Sequence, residues 1–209
     1  GQTKTEVIPS TYTGVTSYAD FVNALNNNAV IGITVNADIT VPAQNQWTVL
    51  AITKPVVVAG GKTLTVAGYT TDGEKSGFLA NDLTIMAGGS LTLGENAVLK
   101  ATAIQSGENE PFYRYVGRVC VSGGTLDVSA GTVANGSFFN FNYVGQTANS
   151  DALILGENSP EIEFAVHNDA QLRAAIADSK CTGGVIVEDD ITLESDLTVT
   201  KLVLVNNEK

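Results

Sequence analysis

A chain of 209 residues is long enough for one good core or two small ones, and its 44% apolar side chains argue against disorder. A net charge of −11 excludes a surface built to hold a nucleic-acid backbone, which needs Lys and Arg. No apolar run approaches the roughly 20 residues of a membrane-spanning helix, and 21 glycines against 5 prolines suit a β-rich chain with many turns.

Residues 1–16 carry no clear period and read as an extended lead-in. GQTKTEVIPS lacks the basic start and apolar middle of an export signal; the leading Gly1 reads as a remnant of tag cleavage, so a signal removed upstream is compatible with this start. A helix is predicted from 17. Ser17 has the side chain of an N-cap, and Asp20 follows where a carboxylate suits the helix dipole. Phe21, Ala24, Leu25 and Asn28 fall at helical spacing, giving about three turns. Asn26, Asn27 and Asn28 end the helix, because Asn competes for backbone hydrogen bonds and tolerates left-handed conformations.

A run of short β segments follows. VIGITV (30–35), WTVLAI (47–52), PVVVA (55–59) and TLTV (63–66) come first, then DLTIM (82–86), SLTL (90–93) and AVLKATA (97–103). GRVCVS (117–122), TLDV (125–128), SFFNFNYV (137–144), DALIL (151–155) and IEFAV (162–166) complete the run. Many alternate with period two, which buries one face and leaves a Thr-rich face in solvent. Gly-Gly pairs at 60–61, 88–89, 123–124 and 183–184 precede strands and allow sharp turns.

The start of this pattern is repeated near the end. SYADFVNALNNNAVIGITVNADITV (17–41) is answered by NDAQLRAAIADSKCTGGVIVEDDITL (168–193). Ser17 aligns with Asn168, Asp20 with Gln171, Phe21 with Leu172, Ala24 with Ala175 and Leu25 with Ile176. After one inserted residue, Ile33, Val35, Asp38, Ile39 and Thr40 align with Val185, Val187, Asp190, Ile191 and Thr192. Thr53-Lys54 then aligns with Thr200-Lys201, and 56–58 with 203–205. A second helix capped by Asn168 is therefore predicted.

Short strands between glycine turns build either a β-sandwich or a solenoid of stacked coils. Leu64-Thr65-Val66 and Leu83-Thr84-Ile85 lie 19 residues apart, and that spacing with its Thr ladders favours the solenoid, closed at its end by the amphipathic helix. Asn135-Gly136, between TVA and SFFNFNYV, is a hairpin signal that a purely parallel stack does not contain. It implies an irregular middle or a mixed sheet, and it keeps the sandwich as the alternative.

Phe21, Leu25, Ile33, Asp38, Ile39, Thr40, Ile52, Lys54 and Thr63-Leu64-Thr65-Val66 together form a pattern that resembles the opening of pectate-lyase-like proteins common among secreted bacterial surface and adhesin-like proteins. The resemblance covers about 50 residues well, extends more loosely through GGSLTLGENAVLKATA and returns from 168. It implies a right-handed parallel β-helix with short capping helices. A likeness at the level of fold does not fix function.

The chemical motifs are sparse. AGGKTLTV resembles a phosphate loop through Gly61-Lys62-Thr63, but Val56 stands where that loop needs Gly and a strand follows where it needs a helix. His167 is the single histidine and no G-x-S-x-G is present, which leaves serine-histidine-acid catalysis without a frame. A zinc site with several histidines is excluded. Cys120 and Cys181 read as two small buried hydrophobes in preference to a disulfide.

Asp189-Asp190 is the only acidic doublet, and only Asp190 has a counterpart in the first copy, Asp38; Ile-Thr follows both, as after a turn residue that bonds its own backbone. The G-H-G of polygalacturonases is missing. Asp82, Lys100, Arg118 and Asp127 lie on or beside different predicted strands and are the residues an enzyme of this shape would have to bring together.

ENEPFYRY (108–115) is the most informative loop. Phe112, Tyr113, Arg114 and Tyr115 combine ring faces with charge as sugar-binding surfaces do; the competing reading folds Phe112 and Tyr115 back over exposed apolar surface. Phe138, Phe139, Phe141 and Tyr143 pose the same choice, with packing preferred.

The expected organisation is a lead-in at 1–16, a β-solenoid with an N-terminal capping helix at 17–160 and a partial second copy at 161–209. The tail is too small to be stable alone, and its apolar strand at 201–205 has an open edge, so it is expected to dock on the preceding coils. The expected function is non-catalytic: adhesion, glycan binding or structural display on a secreted or cell-surface protein. A glycan or another surface protein is the partner, no cofactor or metal is called for, and a β-helical polysaccharide lyase or glycoside hydrolase is the alternative.

Overall fold

The computed structural model describes residues 11–43, 48–68, 79–105, 114–134, 138–142, 150–156, 159 and 161–205. Strand β1 (Thr13–Val15) and helix α1 (Tyr18–Asn26) open the chain. Two triplets follow: β2 (Ile33–Val35), β3 (Ile39–Val41) and β4 (Thr48–Ile52), then β5 (Pro55–Val58), β6 (Thr63–Val66) and β7 (Leu79–Met86). Next come β8 (Ser90–Leu93), β9 (Val98–Ala101), the short β10 (Ala103–Gln105) and β11 (Arg114–Ser122). β12 (Thr125–Asp127), β13 (Thr132–Val133) and β14 (Phe138–Asn142) lead to a 3-10 turn at Ser150–Ala152 and to β15 (Leu153–Ile154). β16 (Ile162–Val166), α2 (Asp169–Ala177), β17 (Gly184–Val187) and β18 (Val203–Val205) complete the described chain.

These strands form three sheets, which the chain visits in turn from β2 to β14. The first has the order β1-β2-β5-β8-β12-β15, the second β3-β6-β9-β13, and the third β4-β7-β11-β14-β16-β17-β18. Neighbours in each order pair in parallel, and β10 against β11 is the one antiparallel ladder among the named strands. Parallel neighbours need a long crossover; from β2 to β14 strands of the other two sheets supply it, while α1 joins β1 to β2 and α2 joins β16 to β17. The protein is thus mainly β, with two helices and parallel sheets in a β-helix-like arrangement.

Alternation decides what each strand buries. Ile33 and Val35, Val56 and Val58, Leu91 and Leu93 point inward from the first sheet; Ile39, Val41, Leu64, Val66, Leu99 and Ala101 do so from the second. Ile52, Leu83, Ile85, Val119, Val121 and Phe164 come from the third, and all join one apolar core. Full burial of such a side chain contributes roughly 1.5–3 kcal/mol. In each Gly-Gly pair one glycine has a positive φ, 69° at Gly61, 84° at Gly88, 83° at Gly123 and 108° at Gly184. These are the corners at which the chain passes to the next strand.

Both helices start as their sequences dictate. Ser17 Oγ accepts the Asp20 amide, and Asn168 Oδ1 accepts that of Gln171. Phe21, Ala24 and Leu25 are buried from α1, as are Leu172, Ala175 and Ile176 from α2. α1 packs on β1, β2 and β3, α2 on β16 and β17. Asn28 lies outside the buried stripe, because α1 ends at Asn26; its cap Asn27 is extended, with φ −91°, and not left-handed.

Two expectations need correction. Asn135-Gly136 lies outside the described residues, but the strands beside it form no hairpin: β13 pairs with β9, and β14 with β11 and β16, each in parallel. The spacing of 19 does not link stacked strands, since Leu64 faces Leu99 while Leu83 faces Leu50 and Val119. A turn of this chain holds three strands, so a step of that length only leads to the next sheet. The lead-in ends in a true strand, β1, which pairs with β2 and is too short to show a period.

The tail lies against the strands before it. β16 pairs with β14 and β17 with β16, Lys180 Nζ donates to the Leu153 carbonyl at 2.8 Å, and α2 joins the common core.

Candidate functional site

Alternation that sends Leu83, Ile85, Val119 and Val121 inward sends Asp82, Thr84, Arg118 and Cys120 to the outer face of the third sheet. There Asp82 stands opposite Arg118, and Thr84 opposite Cys120. Asp82, Thr84 and Cys120 are buried although they face away from the core. Polar groups withdrawn from water need partners.

Arg118 supplies them as a fork: Nε donates to Asp82 Oδ1 and Nη2 to Oδ2, both at 2.7 Å. This geometry matches the planar guanidinium to both carboxylate oxygens. Burial alone would lower the Arg118 pKa; the hydrogen bonds it donates to Asp82 and the negative charge around it outweigh burial and hold the pKa above its ordinary value. The Cys120 thiol is pushed up to about 12, first by burial and then by the Asp82 charge. It is therefore a neutral thiol and no nucleophile at neutral pH. Asn81 ties neighbouring turns together here, its Nδ2 donating to the carbonyls of Val41, Pro42 and Ala67 at 3.3, 3.1 and 3.0 Å.

The four scattered charged residues do not converge as a set. Asp82 and Arg118 meet; Lys100 sits on β9 in the second sheet, and Asp127 on β12 in the first, where its Oδ1 accepts from the Ser129 amide and hydroxyl at 3.0 and 2.6 Å. Phe112 and Tyr113 lie outside the described residues. Arg114 and Tyr115 open β11, Arg114 opposite Gln105 and Tyr115 between Ile104 and Leu79. β10 and β11 form an antiparallel ribbon, and residues 106–113 between them lie outside the described residues. Phe138, Phe139 and Phe141 belong to β14 and Tyr143 lies outside the described residues; the choice made for them concerns side chains that are not described.

His167 Nδ1 lies 2.8 Å from Asp189 Oδ2, with both side chains exposed. Asp38 does not bond its own backbone as expected: its Oδ1 accepts the amide of Thr63, 25 residues on and in the next turn of the chain, at 2.8 Å. Cys120 and Cys181 are both free thiols and buried. Among the described residues no group of three or more His, Cys, Asp or Glu side chains is arranged to hold a metal, and no helix is long and apolar enough to cross a membrane. A cleft that the sequence did not reveal lies between α1 and β1, walled by Thr13, Gly14, Asp20, Asn23 and Asn27.

Residues 12–110 match the model of a family described as "putative pectate lyase-like adhesive domain". That span contains every residue on which the sequence resemblance was built from Phe21 to Val66, and it supports the likeness to pectate-lyase-like surface proteins. No curated protein matches the chain, and no solved structure does.

Proposed function

We propose that the chain is a non-catalytic adhesive module of a secreted or cell-surface protein, built as a right-handed parallel β-solenoid that binds a glycan or another surface protein. The adhesive description of the family matched over 12–110 carries this reading. The hand follows from the general preference of parallel crossovers for right-handed connections. The division into a lead-in at 1–16, a stack at 17–160 and a second opening unit at 161–209 belongs to the same reading.

Phe112, Tyr113, Arg114 and Tyr115 are the residues we assign to glycan contact. In sequence they span the end of the connection from β10 to β11 and the start of β11, the one antiparallel pair of the named strands, and a connection of that kind is where a coil spares residues for a ligand. Aromatic rings stack on sugar faces, and Arg adds hydrogen bonds to acidic groups. Replacing Tyr113 and Tyr115 with Ala is expected to abolish retention on a glycan array while the melting temperature stays nearly unchanged. Retained binding, or a large fall in melting temperature, assigns the tyrosines to packing instead.

The alternative, a carbohydrate-active enzyme, draws on one observation, the meeting of Asp82 and Arg118 on a sheet face. Cleavage of an acidic polysaccharide by the native chain, lost in Asp82→Asn, would favour it.

A further inference from the structure

The alignment of 17–58 with 168–205 pairs residues that differ in burial; β2 and β5 lie in the first sheet, and their counterparts β17 and β18 in the third. Ile33 faces Val56 as Val185 faces Val203, so the registers agree. Lys54, ahead of β5, and Lys201, ahead of β18, each hold the end of the helix in their own unit. Yet Val41, Ile52 and Val58 are 1%, 0% and 0% exposed, whereas their counterparts Leu193, Val199 and Val205 are 49%, 54% and 63% exposed. Leu202 and Leu204 are exposed beside them.

The first unit shows what makes the difference. Val41 faces Val66, Ile52 faces Ile85 and Val58 faces Leu93, all in the turn of chain that leaves β5. Asp38 receives the Thr63 amide of that same turn, and its counterpart Asp190 is exposed. Three exposed apolar side chains and one exposed carboxylate thus stand at the positions that the next turn covers in the first unit. An exposed apolar patch with an open strand edge marks an interaction surface.

We infer that this end seats a further β-coil of the same polypeptide, laid parallel on β18 as β8 is laid on β5 and carrying the same apolar and Thr alternation as β6 and β8. A second copy of the chain fits less well. The segment 188–196 carries Glu188, Asp189, Asp190, Glu194 and Asp196, and two such acidic segments would repel each other across a symmetric contact. The covering strands β6 and β8 of the first unit carry no charge.

Thiol labelling tests this, because both native cysteines are buried. Val199→Cys and Val205→Cys are expected to react as exposed thiols in the 209-residue chain, at a rate independent of protein concentration. When residues 59–205 are appended after Val205, so that the native sequence of the first unit follows, the same thiols are expected to react at least about tenfold more slowly. An unchanged rate in the extended chain overturns the inference. Slow reaction in the 209-residue chain does so too, in favour of a second copy if it appears only at high concentration and of the chain's own cover if it does not.

Should the extended chain fail to fold, Leu193→Asp and Val205→Asp in the 209-residue chain decide. They are expected to shift the melting temperature by less than about 4 °C, while Val41→Asp and Val58→Asp unfold the protein. Equal damage at matched positions would show that the end is already covered.

Discussion

Lys54 Nζ donates to the backbone carbonyl of Asn27, 2.8 Å away and 27 residues earlier in the chain. A second bond reaches the Ala24 carbonyl at 3.2 Å, so one ammonium closes the C-terminus of α1. Neither helix has a basic residue in its last turn. Lys201 repeats the device on α2 through the carbonyls of Asp178 and Cys181. A cation at this place complements the helix dipole and adds a donor to the carbonyls of Ala24, Asn27 and Asp178, which also accept the amides of Asn27, Val30 and Cys181.

Lys54→Met and Lys201→Met are each expected to cost about 1–2 kcal/mol. The two sites share no partner, so the double variant is expected to lose the sum. Urea unfolding measures all three.

The Asp82–Arg118 fork sets a sharper contrast. Asp82→Asn or Arg118→Met alone leaves a buried charge without its partner and is expected to cost about 3–5 kcal/mol. Replacing both with apolar residues is expected to cost far less than the sum of the single changes. Additive losses in denaturant unfolding would show that the two groups act separately.

The buried thiols give the protein an alkaline limit. Burial raises both Cys120 and Cys181, Cys120 to about 12 from 9.0. Between those values the unfolded chain has released a proton that the folded chain still holds. Stability is therefore complete below about pH 9 and falls as pH rises toward 12, by up to about 1.4 kcal/mol per pH unit for Cys120. Cys120→Ala is expected to flatten that slope in pH-dependent unfolding, and the native thiols are expected to resist iodoacetamide at pH 8 until the chain is unfolded.

Phe21 and Leu172 are matched anchors under the two helices, both buried. Phe21→Ala and Leu172→Ala are each expected to cost roughly 2–5 kcal/mol. A loss below about half a kcal/mol at both sites would mean that the helices do not cover a core.

Local chemistry was legible and pairing was not. Ser17, Asn168 and the stripes behind them specify both helices, because caps and helical spacing act within a few residues. Alternation placed most strands, but β3 escaped notice as a separate strand and Thr132–Val133 is too short to alternate. Which strand meets which depends on turn length, and turn length varies: 23 residues separate Ile33 from its partner Val56, while 35 separate Leu64 from Leu99. Insertions at the corners erase any fixed period.

The site was harder still. Asp82 and Arg118 stand 36 residues apart and meet only through register. Asp38 was misread because a short polar side chain before Ile-Thr usually serves its own turn, whereas here it reaches the next one.

Stacking in parallel has a mechanical consequence. The ladders join successive turns, so tension between the two ends of the stack falls on them in series and across the strands. Val56 and Leu91 sit on adjacent strands, about 4.8 Å apart, yet they are 35 positions apart along the chain. When that ladder parts, the released turn extends to about 120 Å. A molecule pulled this way gives length in steps, one turn at a time, and yields under load where a single rigid block would break away.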